Sequence, residues 1–564
     1  MKRTALLLAV ALLTIAKANA QVKESSHENL LARTASAQLS KMGISAQPRL
    51  LARNDGYAVY GATEGGFVVM SDDKTDPQVL GYSTSAWKPD RQPCGFRWWL
   101  EAVGKSMSAG NDATAGTSRP WKASGGFIAV PNFLKTKWGQ GTPYNDKCPY
   151  DGTTKAPTGC IATAMAQVMR YYEWPAQGQG MGMYTVGDNR TPVVEEVSSV
   201  YNWSGLPNVA YNANTKASIK NIVASLMYDC GIASKMNYAA DGSGAYDWDQ
   251  ALALARNFQY DSLSLRRCER SLYSDDEWID LIATEMEAKR PILFSGSSEA
   301  SGGHAFVFCG MDSDGRVYVN WGWNGDYDGY YAINSIKPEY KGQTVEDFSE
   351  DQSMNIGIRP MDINGPQGEY VSKWAAYDLA DATLSNNGRQ LQVPYYYLYN
   401  VQYLPFSGTV GLLFHRTDAN TDDVLVAIEE YDGEPLECYN GFTNMEYDRR
   451  GRMTYDPVTV STTLLPAGQY QVTWTSKAVQ ESVARPIVSS DNGAPVPAFY
   501  LEKDANGRLT LSDQEFPSGI SHITADGNAS TVCFDIAGRQ KAAQHRGLTI
   551  VRQGGTARKV IFRK

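Results

Sequence analysis

Thr158-Gly159-Cys160-Ile161-Ala162-Thr163-Ala164-Met165-Ala166-Gln167-Val168-Met169-Arg170-Tyr171-Tyr172 carries the clearest periodicity in the chain. Ile161, Ala164, Met165, Val168, Met169 and Tyr172 recur at i, i+3, i+4, i+7, i+8 and i+11, the pattern of a helix with one buried face. Pro175 sets its end, because the residue before a proline is pushed out of the helical region. Cys160 stands where this helix opens. A thiol there meets unpaired backbone N–H groups and the positive end of the helix dipole, and both favour thiolate over thiol. Taken alone, a cysteine is a small buried apolar residue. At a helix start, behind a glycine that lets another backbone approach closely, it reads as a nucleophile.

A thiolate nucleophile needs a group that takes and returns a proton near neutral pH, and histidine is the usual one. The chain has 5 histidines, and of His27, His304, His415, His522 and His545 only His304 falls within residues 121–362, the stretch that also holds the helix. It follows Gly302-Gly303 and opens the apolar run Ala305-Phe306-Val307-Phe308, at the mouth of a strand. His304 follows Cys160 by about 140 residues, inside the roughly 130–150 residue interval of papain-like enzymes. Next comes Val317-Tyr318-Val319-Asn320-Trp321-Gly322-Trp323-Asn324-Gly325. There the amide of Asn320 is suited to hold the imidazole in one tautomer, and the indole of Trp321 to shield that bond from water. Upstream, Trp138-Gly139-Gln140-Gly141 supplies in Gln140 a side-chain donor that, with the Cys160 backbone N–H, forms an oxyanion hole.

Working outward, five units are expected. Residues 1–20 read as a secretory signal, with basic Lys2 and Arg3, an apolar run from Ala5 to Ile15, and Ala18-Asn19-Ala20 as the cleavage site. Residues 21–120 read as a small α+β unit. Its helices lie over Glu28 to Met42 and Phe96 to Met107, and its strands at 57–60, 67–70 and 79–82. It ends in the small, polar linker Ser108 to Ser118, open to proteolysis. Residues 121–362 form the catalytic unit. Residues 363–500 alternate in short strands such as Tyr470-Gln471-Val472-Thr473-Trp474, the texture of a β-sandwich. Residues 501–564 read as a small β-rich segment, with strands at 532–536 and 548–551 and a possible sorting role.

The net charge of −9, with both signs interspersed, argues against nucleic acid or an anionic membrane as partner. Beyond the signal there is no run of about 18 apolar residues, so no transmembrane segment is expected, and the product reads as secreted, extracellular or at the cell surface. One histidine in the catalytic unit and no paired cysteine spacing leave no zinc set, and no cofactor is expected. Eight cysteines in a chain this long do not make a disulfide scaffold. With one serving as nucleophile, an odd number remains, so at least one more stays unpaired.

Assembled, Trp138-Gly139-Gln140, Thr158-Gly159-Cys160 with its helix, Gly303-His304-Ala305-Phe306 and Val319-Asn320-Trp321-Gly322-Trp323 resemble the streptopain family of bacterial papain-like cysteine peptidases. The N-terminal unit also resembles the family's inhibitory propeptide, in Gly66-Phe67-Val68-Val69-Met70 and Leu80-Gly81-Tyr82-Ser83. The resemblance implies an α+β fold, that of a two-lobed papain-like peptidase, preceded by the propeptide and followed by β-sandwich modules. It also implies endopeptidase action on proteins, self-maturation from a zymogen whose own propeptide inhibits it, a displaced histidine in that zymogen, and an apolar residue two positions before the cut. Either Asn320 or Trp321 would then do most of the orienting. The end of the chain resembles segments used for export through an outer membrane, on Gly519-Ile520 and the late glycines. Two other readings stand beside this one: a different Cys-His acyl transferase, and an adhesion or binding protein whose papain-like unit is inactive.

Overall fold

The computed structural model describes residues 26–110, 127–298, 302–333 and 352–516 apart from isolated loop positions, with strand segments inside 339–344 and 531–562. The expected signal peptide, the 111–118 part of the linker and Gly519-Ile520 lie outside the described residues.

Helix α1, over 26–41, buries Leu31, Ala35 and Leu39, one residue per turn. Four strands follow: β1 (Arg49–Asn54), β2 (Tyr57–Gly61), β3 (Phe67–Ser71) and β4 (Val79–Ser83). Side chains alternate across them as the pleat requires. Ala58, Tyr60, Val68 and Met70 pack under α1, while Val59, Phe67, Val69 and Leu80 face the other way, into a second core. Helix α2 runs Cys94–Gly110. It starts before the expected Phe96 and takes in the first residues of the expected linker.

In the central unit, helices α3 (Cys160–Tyr172), α4 (Ala217–Ala233) and α5 (Asp247–Asn257) form one lobe with a shared core that includes Met165, Met169, Leu226, Met227 and Leu254. The other lobe is a sheet built on β5 (Arg266–Glu269), β6 (Ile292–Ser298), β7 (Gly302–Met311), β8 (Val317–Asn320), β9 (Gly329–Tyr331) and β10 (Ser353–Ile356), with helix α6 (Asp275–Glu287) on its back. Strand β7 divides the two cores by parity: Ala305, Val307 and Cys309 face the helical lobe, whereas Phe306 and Phe308 face the aromatic core.

The N-terminal unit is not a separate layer. Strand β4 pairs antiparallel with β9, with Ser83 opposite Gly329, Tyr82 opposite Tyr330 and Gly81 opposite Tyr331. The result is one ten-stranded sheet in the order β1-β2-β3-β4-β9-β8-β7-β6-β10-β5. Sequence periodicity finds strands, but the partner of an edge strand is set by register far along the chain.

The C-terminal module is a two-sheet sandwich. Strands β11 (Trp374–Leu379), β12 (Tyr395–Asn400) and β15 (Gly441–Thr443) lie in one sheet. Strands β13 (Phe406–Arg416), β14 (Val424–Leu436), β16 (Gly468–Ala478), β17 (Phe499–Lys503) and β18 (Leu509–Ser512) lie in the other. Trp374, Leu398, Phe406, Leu412, Val472 and Leu501 fill the space between them. This sheet runs to Ser512, past residue 500. Four further strands between Thr531 and Phe562 form a small antiparallel sheet. No helix among the described residues is long and apolar enough to cross a membrane.

Candidate active site

Cys160 is the first residue of α3 and is half-buried. Its N-cap, Gly159, sits at φ 85°, a left-handed backbone that a side chain resists. A Cβ at Gly159 would also come within 2.9 Å of the Met236 sulfur and the Ser243 carbonyl. The glycine is therefore required both by the turn that starts the helix and by the wall beside it. His304 is the third residue of β7 and is likewise half-buried. Cys160 and His304 line one cleft of about 490 Å³ between the lobes, shared with Ser243, Trp248 and Ser297.

Trp138, Gly139 and Gln140 do not themselves line this cleft, but backbone bonding holds the segment beside it. The Thr158 N–H donates to the Gln140 carbonyl at 3.0 Å, which fixes Gln140 next to the turn that launches Cys160. Gly139 is pressed against the Asn324 amide, with no room for a Cβ, and the Asn324 N–H donates to the Trp138 carbonyl at 3.0 Å. The upstream loop and the Asn-Trp-Gly-Trp loop thus lock together.

Asn320 is buried and its amide is committed on both sides. Nδ2 donates to the Thr136 carbonyl at 2.8 Å, and Oδ1 accepts from Gln167 Nε2 and from the Gly322 N–H, each at 3.0 Å. Gln167 lies on α3, so Asn320 ties the nucleophile helix to the sheet that carries His304. Trp321 is buried as well. Its indole N–H donates to the Tyr327 carbonyl at 3.0 Å, and its backbone N–H donates to Asp328 Oδ1 at 3.0 Å.

Burial pushes the Cys160 thiol above its ordinary pKa, and the N–H groups of Ala305, Ile161 and Cys160 itself pull it back only in part. The helix start does favour thiolate, but here desolvation outweighs it. Burial also raises the Cys94 thiol, and the charge of Cys160 raises it further, so α2 begins within electrostatic reach of the nucleophile. Asp328 is pushed up to about 7 by burial, against the Trp321 N–H that lowers it. The six described cysteines, Cys94, Cys148, Cys160, Cys230, Cys268 and Cys309, are all free thiols.

The model of the peptidase C10 family matches residues 138–331. Streptopain of Streptococcus pyogenes is 30% identical over 332 residues, which cover 54% of this chain and 80% of streptopain. The chain belongs to the peptidase C10 family. With that family it is a cysteine-type peptidase. Thiol protease/hemagglutinin PrtT of Porphyromonas gingivalis is 32% identical over 321 residues, 53% of this chain but only 36% of PrtT, so the chain spans about a third of that relative. A prointerpain A fragment of Prevotella intermedia aligns at 32% identity and a TM-score of 0.49, covering 56% of this chain and 99% of the fragment.

Three parts of the site were not read from the sequence. The Ser243 to Trp248 wall was signalled by the turn-rich Asp241-Gly242-Ser243-Gly244 ahead of α5. Trp98 packs where Gly296 lacks a Cβ, 2.6 Å from the position that atom would take. Gly296 is the cross-strand partner of His304, and paired residues share a sheet face. Trp98 therefore stands on the face to which His304 belongs, and its indole N–H donates to the Ser297 carbonyl at 3.1 Å. Tyr439, from the sandwich, also lines the cleft. Nothing in its local sequence marks it.

Proposed function

We propose that the protein is the zymogen of a secreted endopeptidase in which Cys160 is the nucleophile and His304 the general acid and base. The observation that carries this reading is that a helix-opening cysteine and a histidine third from the start of a strand line the same cleft. In the reaction, His304 takes the thiol proton of Cys160 as Sγ adds to the scissile carbonyl carbon. The oxyanion is held by the Gln140 side chain and the Cys160 N–H, the C–N bond breaks, and His304 gives its proton to the leaving amine. Water then adds to the thioester, His304 takes its proton, and the C–S bond breaks as His304 returns that proton to Sγ, freeing the acid and restoring the thiol. Asn320 acts as a positioning residue through Gln167 and Gly322, and Trp321 shields the histidine side of the cleft.

Residues 21–120 act in this reading as an inhibitory propeptide. Support comes from α2, which packs on the sheet face to which His304 belongs. Phe96 meets Trp321 edge-on at 6.0 Å, Trp98 lies 5.9 Å from Phe306, and a Cβ on Gly95 would touch Trp321 at 3.0 Å. Latency ends when the chain is cut beyond α2 and the freed unit then leaves the sheet, and the signal at residues 1–20 directs export. The test is digestion of casein by the activated protein with and without iodoacetamide, beside Cys160→Ala. Thiol-dependent hydrolysis absent from the variant is the expected result. Hydrolysis that survives alkylation, or that Cys160→Ala retains, overturns the assignment. Gln140→Ala should lower kcat by about 10²–10³ with KM little changed.

A further inference from the structure

The sandwich reaches into the catalytic cleft through one residue. Tyr439 lies in the turn after β14, outside residues 138–331 of the family match, yet it lines the cavity that holds Cys160 and His304. Its ring is edge-on to Trp248, with centroids 5.6 Å apart, and 5.1 Å from the guanidinium of Arg267. Its hydroxyl donates to Glu269 Oε2 at 2.5 Å. On its other side it stacks on Tyr399 of the sandwich, and its backbone is fixed by its N–H donating to Asn400 O at 2.6 Å and its carbonyl accepting from the Tyr397 hydroxyl at 2.8 Å. The backbone is held at φ 60°, a left-handed conformation that a bulky residue resists and asparagine tolerates. The fold holds a strained tyrosine where its ring closes the cleft.

The chemistry of this wall is aromatic. Tyr246 stacks on Trp248 at 4.3 Å and 9° and stays 63% exposed. Arg267, the buried cation beneath the rings, is paired with Asp247 and Glu269. That leaves the charged trio with one negative charge in excess. Such a wall favours the face of an aromatic or large apolar side chain and repels an acidic one.

We infer that Tyr439 is a specificity-determining residue: the accessory sandwich completes a subsite, with Trp248 and Tyr246, that selects peptide substrates carrying an aromatic or large apolar side chain beside the cut. This rests on the peptidase reading above. The experiment measures kcat/KM of the activated full chain on peptides that vary Phe, Leu, Ala and Glu at each of several positions on both sides of the scissile bond. Tyr439→Asn removes the ring while relieving the backbone, and Tyr439→Phe keeps the ring and loses only the bond to Glu269. At one position the Phe-to-Ala preference of the wild type should fall about tenfold in Tyr439→Asn and persist in Tyr439→Phe. Urea midpoints of both variants near the wild-type value establish that they are folded. A preference unchanged within twofold at every position, or an equal loss on every peptide, overturns the inference while leaving the peptidase reading intact. A wild type that cleaves no peptide in a Cys160-dependent way removes both.

Discussion

Two units are docked on the catalytic domain, and they hold to it by different means. The N-terminal unit continues its sheet, through β4 on β9, and seals it with an aromatic cluster in which Phe96 lies 4.6 Å from Tyr327 and Trp99 lies 4.7 Å from Tyr331. The sandwich adds no strand to that sheet. Tyr403 donates from its hydroxyl to the Ser262 carbonyl at 2.7 Å, Lys373 donates to the Leu272 carbonyl at 3.0 Å, and a small apolar cluster gathers Leu272, Ala375, Val401 and Val488. Removing the first unit would bare a strand edge and the apolar rings over Trp321, which is costly in water. A cut in the linker therefore leaves the propeptide seam closed, and further loosening is needed to open the cleft. The sandwich seam asks for nothing of the kind, because it borders the cleft without covering His304's face.

The largest expected effect comes from Cys160→Ala, which keeps both seams and removes the chemistry. Activity should fall by about 10⁴-fold or more, and the purified precursor should stay full length, while a trace of active enzyme still trims it. Self-trimming by the variant would show that maturation does not depend on this cysteine. Trp98→Ala acts on the propeptide seam alone. Losing a buried tryptophan costs about 3–5 kcal/mol, here against Gly296 and Phe306. The uncut precursor should then alkylate at Cys160 faster than the wild type and hydrolyse peptide before any cleavage. An alkylation rate equal to that of the wild type would mean that α2 does not guard the site.

How much of this was legible beforehand depended on the range of each signal. The helix behind Cys160 and the strand behind His304 announce themselves through local periodicity, and so did α1 and β2 to β4. Gln140 came from its neighbours in the motif. What stayed hidden was pairing at a distance: that Tyr82 would lie opposite Tyr330, or that a turn near residue 439 would fold back on Trp248. Periodicity fixes which face of a strand is apolar and says nothing of which edge will meet it. Burial was the second blind spot. The helix-start argument pointed to a thiolate, but the desolvation that outweighs it depends on residues brought in from other parts of the chain.

Asp328 separates the seams by pH. Its carbonyl accepts from the Ser83 hydroxyl of the propeptide at 2.6 Å, and burial pushes its carboxyl up to about 7. The sign follows directly. Between about pH 4 and 7 the folded protein holds a proton that the unfolded chain has lost, so stability falls as pH rises through that window and levels off above it, with a ceiling of about 4 kcal/mol. Asp328→Asn keeps an acceptor for the Trp321 N–H and lacks this titration. In the Cys160→Ala background, its urea midpoint should match the parent near pH 4.5 and exceed it at pH 8. Equal midpoints at both values would show that Asp328 titrates normally.

The smallest effect should come from the sandwich seam. Tyr403 is 2% exposed, and burial raises its phenol, so its hydroxyl stays protonated and available to the Ser262 carbonyl. Tyr403→Phe preserves the ring and its packing, and removes one donor to a carbonyl that then lacks it. The cost should be about 1–2 kcal/mol, visible as a lower urea midpoint in the Cys160→Ala background and faster amide exchange around residue 262. Because Tyr403 does not line the cleft, the uncut precursor should remain as latent as the wild type and mature at the same rate when Cys160 is present. This contrasts with Trp98→Ala, where lost stability and lost latency go together. If Tyr403→Phe also produced activity in the uncut chain, the two seams would be coupled, and the sandwich would be part of the inhibitory apparatus as well as a wall of the cleft.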